Sequence, residues 1–167
     1  SAKKVGVLSL NFDVRNKAEV ESMIKNLAPE WKNIDILVNN AGLAAGLGHI
    51  DTGDTDDWDR MIDTNVKGLL YVTRAVVPVM VSRNKGHIFN ISSIAGKEVY
   101  ESGNVYCASK HAVDALSRAM RIDLLTHSIK VTNIAPGMAE TEFSLVRFHG
   151  EREKADAVYK GVDQLVA

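Results

Sequence analysis

The sequence predicts an α/β domain built on a mostly parallel sheet. Three observations predict it. Short β-branched runs alternate with longer segments of helical apolar spacing. Polar and glycine-containing clusters follow the strand-like runs rather than the helices. The composition, 46% apolar and 25% charged over 167 residues, is that of one globular unit with a real core.

The elements read in order. Val5, Val7 and Leu8 lead into Phe12, a strand-like run ending at Asp13. Asn16 and Glu19 stand at capping-box spacing, and Val20, Met23, Ile24 and Leu27 follow on one helical face. Ile34 to Val38 is a strand run, closed by Asn39-Asn40-Ala41-Gly42. Thr55 is the expected cap of a long helix that carries Trp58, Met61 and Ile62 and runs to about Met80. His87 to Ile91 is a further strand. Tyr106 to about Leu125 is a helix with Ala112, Val113, Leu116 and Met120 along one side. Ile129 to Ala135 is the last clear strand, closed by Pro136-Gly137. Strands separated by helices imply right-handed crossovers, hence a Rossmann-type, doubly wound parallel sheet spanning residues 1–167 as one domain.

In such sheets ligands bind beyond the carboxyl ends of the strands. Asp13-Val14, Asn39 to Gly42, Ser92-Ser93 and Pro136-Gly137 all fall there. Four loops converging on one edge weigh more than any one of them.

Tyr106 and Lys110 are four apart near a helix start, so their side chains share a face. A free phenol, with a pKa of about 10, is a poor base at neutral pH. A neighbouring ammonium that pulled it toward neutrality would supply roughly 3–4 kcal/mol. The bland reading is a surface tyrosine over a solvated lysine. Ser93, thirteen residues earlier at the same sheet edge, offers a hydroxyl to a carbonyl oxygen while the phenol moves a proton. Ser92 and Ser93 also read as a turn or capping pair. Asn65 lies within a helix, where asparagine is a poor former, and reads either as an exposed polar position or as an irregularity holding a water near Lys110.

Asn39-Asn40-Ala41-Gly42, the Asn65 helix, Asn90-Ile91-Ser92-Ser93, Tyr106-Cys107-Ala108-Ser109-Lys110 and Pro136-Gly137 through Thr141 occur in one order and spacing. In them the chain resembles the short-chain dehydrogenase/reductase family over nearly its whole length. The resemblance implies an NAD(P)-dependent oxidoreductase with Tyr106 as general acid/base and Ser93 polarising the carbonyl. It implies that Lys110 holds the nicotinamide ribose and lowers the Tyr106 pKa, and that Asn65 supports a proton-relay water. Asp13 and Val14 would sit by the adenine, and Asn40, Ala41 and Gly42 along the adenosine ribose. Asn39, beside them, would rather brace the sheet. Pro136, Gly137, Met138, Ala139 and Thr141 would cover the nicotinamide. It further implies helix pairing across subunits in a homotetramer.

Ile62 to Gly68, Gly103 to Tyr106 and Glu142 to Phe148 are similar to the branch acting on serine and other 3-hydroxy acids with NADP. A cation must then meet the substrate carboxylate. Arg147 is the candidate clamp, since a guanidinium binds a carboxylate in bidentate fashion; its bland reading is a surface arginine on a flap.

The family opens with a strand, a glycine-rich turn and a helix that cradles the pyrophosphate. This sequence begins at what resembles the third strand and stops before the last one, so it reads as an incomplete chain. Gly46-Leu47-Gly48 is followed by His49-Ile50-Asp51 and does not complete Gly-x-Gly-x-x-Gly. The residues that choose between NADP and NAD are missing with that first part, so NADP is inherited from the branch and NAD is not excluded. A non-catalytic scaffold of the same fold is the competing reading.

Other classes fail on the residues. Lys plus Arg (20) nearly balances Asp plus Glu (21), against a nucleic-acid binder resting on bulk charge. The apolar stretch from Gly68 to Val81 is interrupted by Arg74 and is too short to span a bilayer. The aspartates between 51 and 59 lack the glycine and closing glutamate of a calcium loop, and the five histidines show no metal-ligand spacing. Ser93 is flanked by Ile91 and Ala95, so it makes no hydrolase elbow. The lone Cys107 fits a reducing, cytoplasmic compartment and a packed side chain.

Overall fold

The computed structural model describes residues 5–138, 142–148 and 150–153. Its frame is three parallel strands, β1 (Ile36–Asn39), β2 (Gly86–Ile91) and β3 (Ile129–Ile134), in the order β1-β2-β3. Around them run α1 (Lys17–Lys25), α2 (Thr55–Ile62), α3 (Leu69–Ser82), α4 (Asn104–Asp123) and the short α5 (Phe143–Arg147). The fold class is α/β with a parallel sheet, as the alternation predicts.

Side chains two apart on a strand share a face, and register turns that rule into layers. Leu37, Ile88 and Val131 stand side by side across the three strands. They form the core with Val76 and Met80 of α3 and Val113 and Met120 of α4. Two residues further along, the same face presents Asn39, Asn90 and Asn133, again in register. The amides of Asn39 and Asn90 are buried, so they need partners. Asn39 Nδ2 donates to Thr73 Oγ1 (2.9 Å) and to Asn90 Oδ1 (2.8 Å), and Asn90 Nδ2 donates to Ser117 Oγ (2.9 Å). The ladder ties β1 and β2 to α3 and α4 just beneath the carboxyl edge of the sheet.

The helices follow local chemistry. Asn16 caps α1, accepting from the Glu19 amide at 3.2 Å, while the Glu19 carboxylate reaches back to the Asp13 amide at 3.4 Å. The long helix expected from Thr55 to Met80 is interrupted by a π-helical turn over Asp63–Gly68 between α2 and α3. Its cap is Asp54 rather than Thr55, because the Asp54 carboxylate accepts from the Asp56 amide at 2.9 Å.

The strand expected over Val5 to Phe12 is not formed. Val5 and Val7 are exposed and the run is irregular. A strand exists through its ladder, and among the described residues no neighbour supplies one. On the opposite face of the sheet side chains of β1 are likewise left uncovered by the described residues. Ile36 is 60% and Val38 55% exposed, and His87 stacks on Phe89 with ring centroids 3.9 Å apart.

Candidate active site

The carboxyl ends of β1 and β2, the π-helical turn and the start of α4 meet at one place. Tyr106 and Lys110 lie on one face of α4, both buried, with Lys110 Nζ 5.9 Å from the Tyr106 ring centre. Lys110 Nζ donates to the Ile91 carbonyl at 3.0 Å, which fixes it at the end of β2. Burial alone lowers its pKa from 10.5 to about 8.

Ser93 follows β2 directly. Its hydroxyl is near enough to the Tyr106 phenol to pull that group's pKa down, and it accepts from the Ala95 amide at 3.1 Å, capping a one-turn helix over Ile94–Gly96. The capping reading of Ser93 therefore holds. Ser92 Oγ donates to the Lys110 carbonyl at 3.1 Å, pinning that turn to α4. Gly96 is required there, since a Cβ would lie 2.7 Å from the Lys110 carbonyl oxygen.

Asn65 sits in the π-helical turn and is 2% exposed. Its amide exchanges two 2.8 Å bonds with the backbone of Leu43 and donates to Ser109 Oγ at 3.0 Å. The exposed alternative is thus excluded. The local wide turn aims the amide at the β1 loop and at α4 together. Gly42 faces this point: a Cβ there would lie 3.3 Å from Asn65 Oδ1 and 3.5 Å from Lys110 Nζ.

One expectation is corrected. Lys110 does not acidify Tyr106 in this structure. Burial raises the Tyr106 pKa, and the groups that pull it back are Ser93, by hydrogen bonding, and Arg147, by its charge. The Lys110 ammonium is itself desolvated and turned to the Ile91 carbonyl, so its charge does little for the phenol.

Arg147, in α5, is no surface flap residue. It is 7% exposed, with its guanidinium carbon 5.7 Å from the Tyr106 ring and 5.7 Å from the Tyr100 ring. Nε donates to the Gly46 carbonyl and Nη2 to the Tyr100 hydroxyl, both at 3.1 Å. The Gly46 amide in turn donates to the Arg147 carbonyl at 2.9 Å. Tyr100 and Gly46 were not legible as site residues. The one available signal was an aromatic set against the Glu101-Ser102-Gly103 turn.

The remaining expected residues scatter along the same edge. Asn39 is inside the amide ladder and braces the sheet, so its side chain is not offered to a ligand. Asn40 and Ala41 are exposed on the loop after β1. Asp13 is exposed and held by Arg15 through a 2.6 Å ion pair, and that hydrogen-bonded guanidinium lowers its pKa. Val14 packs on the π-helical turn, where a Cβ on Gly68 would lie 2.9 Å from Val14 Cγ2. Pro136, Gly137 and Met138 follow β3, and the Pro136 carbonyl accepts from the Ile94 amide at 3.0 Å. Ala139 and Thr141 lie outside the described residues. No cluster of three metal-ligating side chains occurs among the described residues.

Gly42, Lys110, Ser93 and Tyr106 fit the sugar and ring half of a pyridine dinucleotide: an open glycine beside a buried ammonium and two hydroxyls. Among the described residues no glycine-rich turn offers itself to the pyrophosphate.

Comparison with known proteins points the same way. Residues 1–151 match the family model described as short chain dehydrogenase. An NADP-dependent 3-hydroxy acid dehydrogenase, YdfG of Salmonella typhi, is 51% identical over 160 residues, covering 95% of this chain and 64% of that protein. The NADP-dependent 3-hydroxy acid dehydrogenase of Schizosaccharomyces pombe is 44% identical over 165 residues, covering 99% and 64%. Among solved structures, the closed form of serine dehydrogenase complexed with NADP+ superposes with a TM-score of 0.89 at 52% identity, covering 92% of this chain and 62% of that one. The chain thus spans just under two thirds of the length of these relatives.

Proposed function

Because the chain belongs to the short chain dehydrogenase family, we propose that it is the proton-handling part of an NADP-dependent oxidoreductase acting on a small 3-hydroxy acid such as L-serine. The names of the similar proteins support NADP and this substrate class, and NAD stays as the alternative dinucleotide. The observation that carries the substrate class is Arg147, a buried guanidinium 5.7 Å from the Tyr106 ring that no carboxylate pairs among the described residues. A buried cation without a counter-ion costs several kcal/mol, which a bound carboxylate offsets.

A bound nicotinamide would supply the hydride chemistry. The protein's own residues do the rest. Ser93 holds the substrate oxygen by hydrogen bonding, and Tyr106 takes the hydroxyl proton in oxidation or returns it in reduction. Arg147 holds the carboxylate and, as a nearby cation, favours the phenolate. Lys110, buried and fixed at the end of β2, would hold the nicotinamide ribose. Asn65 keeps Leu43 and Ser109 in place beside a relay water. Asp13 and Val14 would meet the adenine, Asn40, Ala41 and Gly42 the adenosine ribose, and Pro136, Gly137 and Met138 the nicotinamide.

We read residues 1–167 as one domain of a cytoplasmic homotetramer. Apolar residues left exposed on α3 and α4, Leu70 and Ile122 among them, support helix pairing between subunits. The single buried thiol of Cys107 supports a reducing compartment. Among the described residues no helix is long and apolar enough to cross a membrane.

The test uses the full-length protein. NADPH fluorescence titration is expected to show binding. Oxidation of L-serine and 3-hydroxypropionate with NADP is expected to exceed that of simple alcohols by about tenfold or more in kcat/KM, the low end of a charge-assisted contact. No binding, or equal rates on acids and alcohols, would overturn the reading.

A further inference from the structure

Tyr100 is assigned no role by the family motifs, yet three observations place it with care. Its ring lies flat against Gly103, where any Cβ would come within 2.3 Å of Tyr100 Cε2. The turn that brings it there carries Ser102 in the left-handed region, at φ 61°. Its hydroxyl accepts from Arg147 Nη2 at 3.1 Å, with the guanidinium carbon 5.7 Å from its ring. A strained residue and an obligatory glycine together fix one phenol on one arginine.

A phenol that accepts a hydrogen bond keeps its own hydrogen to give. We propose that Tyr100 and Arg147 form a two-donor receiver for the substrate carboxylate: Arg147 donates through its guanidinium and Tyr100 through its O–H, while Arg147 in turn fixes where that hydroxyl points. This rests on the 3-hydroxy acid reading and deepens it by naming a second specificity-determining residue. Burial raises the Tyr100 pKa, with Arg147 pulling against it, so the hydroxyl stays protonated and able to donate at neutral pH. Arg147 Nε is already committed to the Gly46 carbonyl, which sets the guanidinium plane before any ligand arrives. The receiver is thereby pre-ordered, and little freedom is lost on binding.

The experiment compares 3-hydroxypropionate with 1,3-propanediol, which keeps the reacting hydroxyl and replaces the carboxylate by a neutral group. Both are assayed with NADP on the full-length wild type, Tyr100→Phe, Arg147→Gln and the double variant. Tyr100→Phe keeps the ring on Gly103 and removes only the hydroxyl. Its acid-over-diol ratio of kcat/KM is expected to fall about 10- to 100-fold, with the loss in KM for the acid, as for one hydrogen bond to a charged group. Malonate binding measured by calorimetry in the presence of NADP+ is expected to weaken in parallel. In the double variant, losing the hydroxyl is expected to add little beyond Arg147→Gln, since the two act as a unit. An unchanged ratio in Tyr100→Phe, or equal losses on acid and diol, would overturn the role of Tyr100 while leaving the substrate class intact. A wild type that shows no preference for the acid would overturn both.

Discussion

The two ends of the sheet edge are built in different ways. At the Tyr106 end the polar side chains of Asn65, Ser92 and Arg147 are buried and shared between elements: Asn65 joins the β1 loop to α4, Ser92 joins the β2 loop to α4, and Arg147 joins α5 to the Gly46 loop. At the Asp13 end the carboxylate is exposed and paired with Arg15, two residues away in sequence. The first end is tertiary structure and the second is local. Groups that must meet a reacting atom within a fraction of an ångström are held by the fold, whereas a group that only recognises a distant handle is held by its neighbours.

That contrast predicts a gradient of effects. The largest, after the phenol itself, belongs to Ser93. Ser93→Ala removes the donor proposed for the reacting oxygen and is expected to lower kcat by about 10²- to 10³-fold, while the loss of its cap on the Ile94–Gly96 turn lowers the melting temperature by only a few degrees. Steady-state rates beside a thermal melt separate the two.

Asn65→Ala comes next and strikes structure and site together. It strips partners from the Leu43 amide and carbonyl and from Ser109 Oγ, all at a buried position. Urea unfolding is expected to show a loss of about 2–4 kcal/mol, the cost of buried groups left unpaired. A loss below about 0.5 kcal/mol would show the π-helical turn to be held by other means.

Lys110 sharpens the comparison through pH. Its folded pKa of about 8 lies below the unfolded value of 10.5, so between those values the unfolded chain holds a proton that the folded one releases. Stability contributed by this group therefore rises as pH increases from about 8 to 10.5, by up to about 3 kcal/mol, and the burial cost is fully present below that window. Unfolding free energies of wild type minus Lys110→Met, followed from pH 7 to 10, should climb. A flat difference would mean that the ammonium is better solvated than its burial implies.

The smallest effect is expected at the other end. Asp13→Ala breaks an exposed pair and should change stability by less than about 0.5 kcal/mol, with a few-fold rise in KM for NADP. An effect as large as that of Asn65→Ala would abolish the distinction between the two ends.

Much of this was legible in the sequence where a local rule sufficed. Asn16 announces α1 through its cap, and Tyr106 and Lys110 share a face because they are four apart on a helix. Asn65 was readable as an irregularity because asparagine suits no helix interior, although only coordinates show that the turn is π-helical and closed on Leu43. What failed needed a partner distant in sequence. The run from Val5 to Phe12 has strand-like residues but no strand beside it among those described. The burial of Arg147 depends on Gly46 and Tyr100, 101 and 47 positions away. The Tyr106–Lys110 spacing gave proximity correctly but not direction, since the ammonium turns to Ile91 and burial raises the phenol.

The most direct measurement is turnover of the full-length Tyr106→Phe variant at saturating NADP and 3-hydroxypropionate, with NADPH binding followed in the same sample. A fall in kcat of at least about 10³-fold with binding retained is the predicted result, since the variant removes the proton-transferring group and leaves its ring in place. Turnover near that of the wild type would contradict the assignment of Tyr106 as the acid/base and the account built on it.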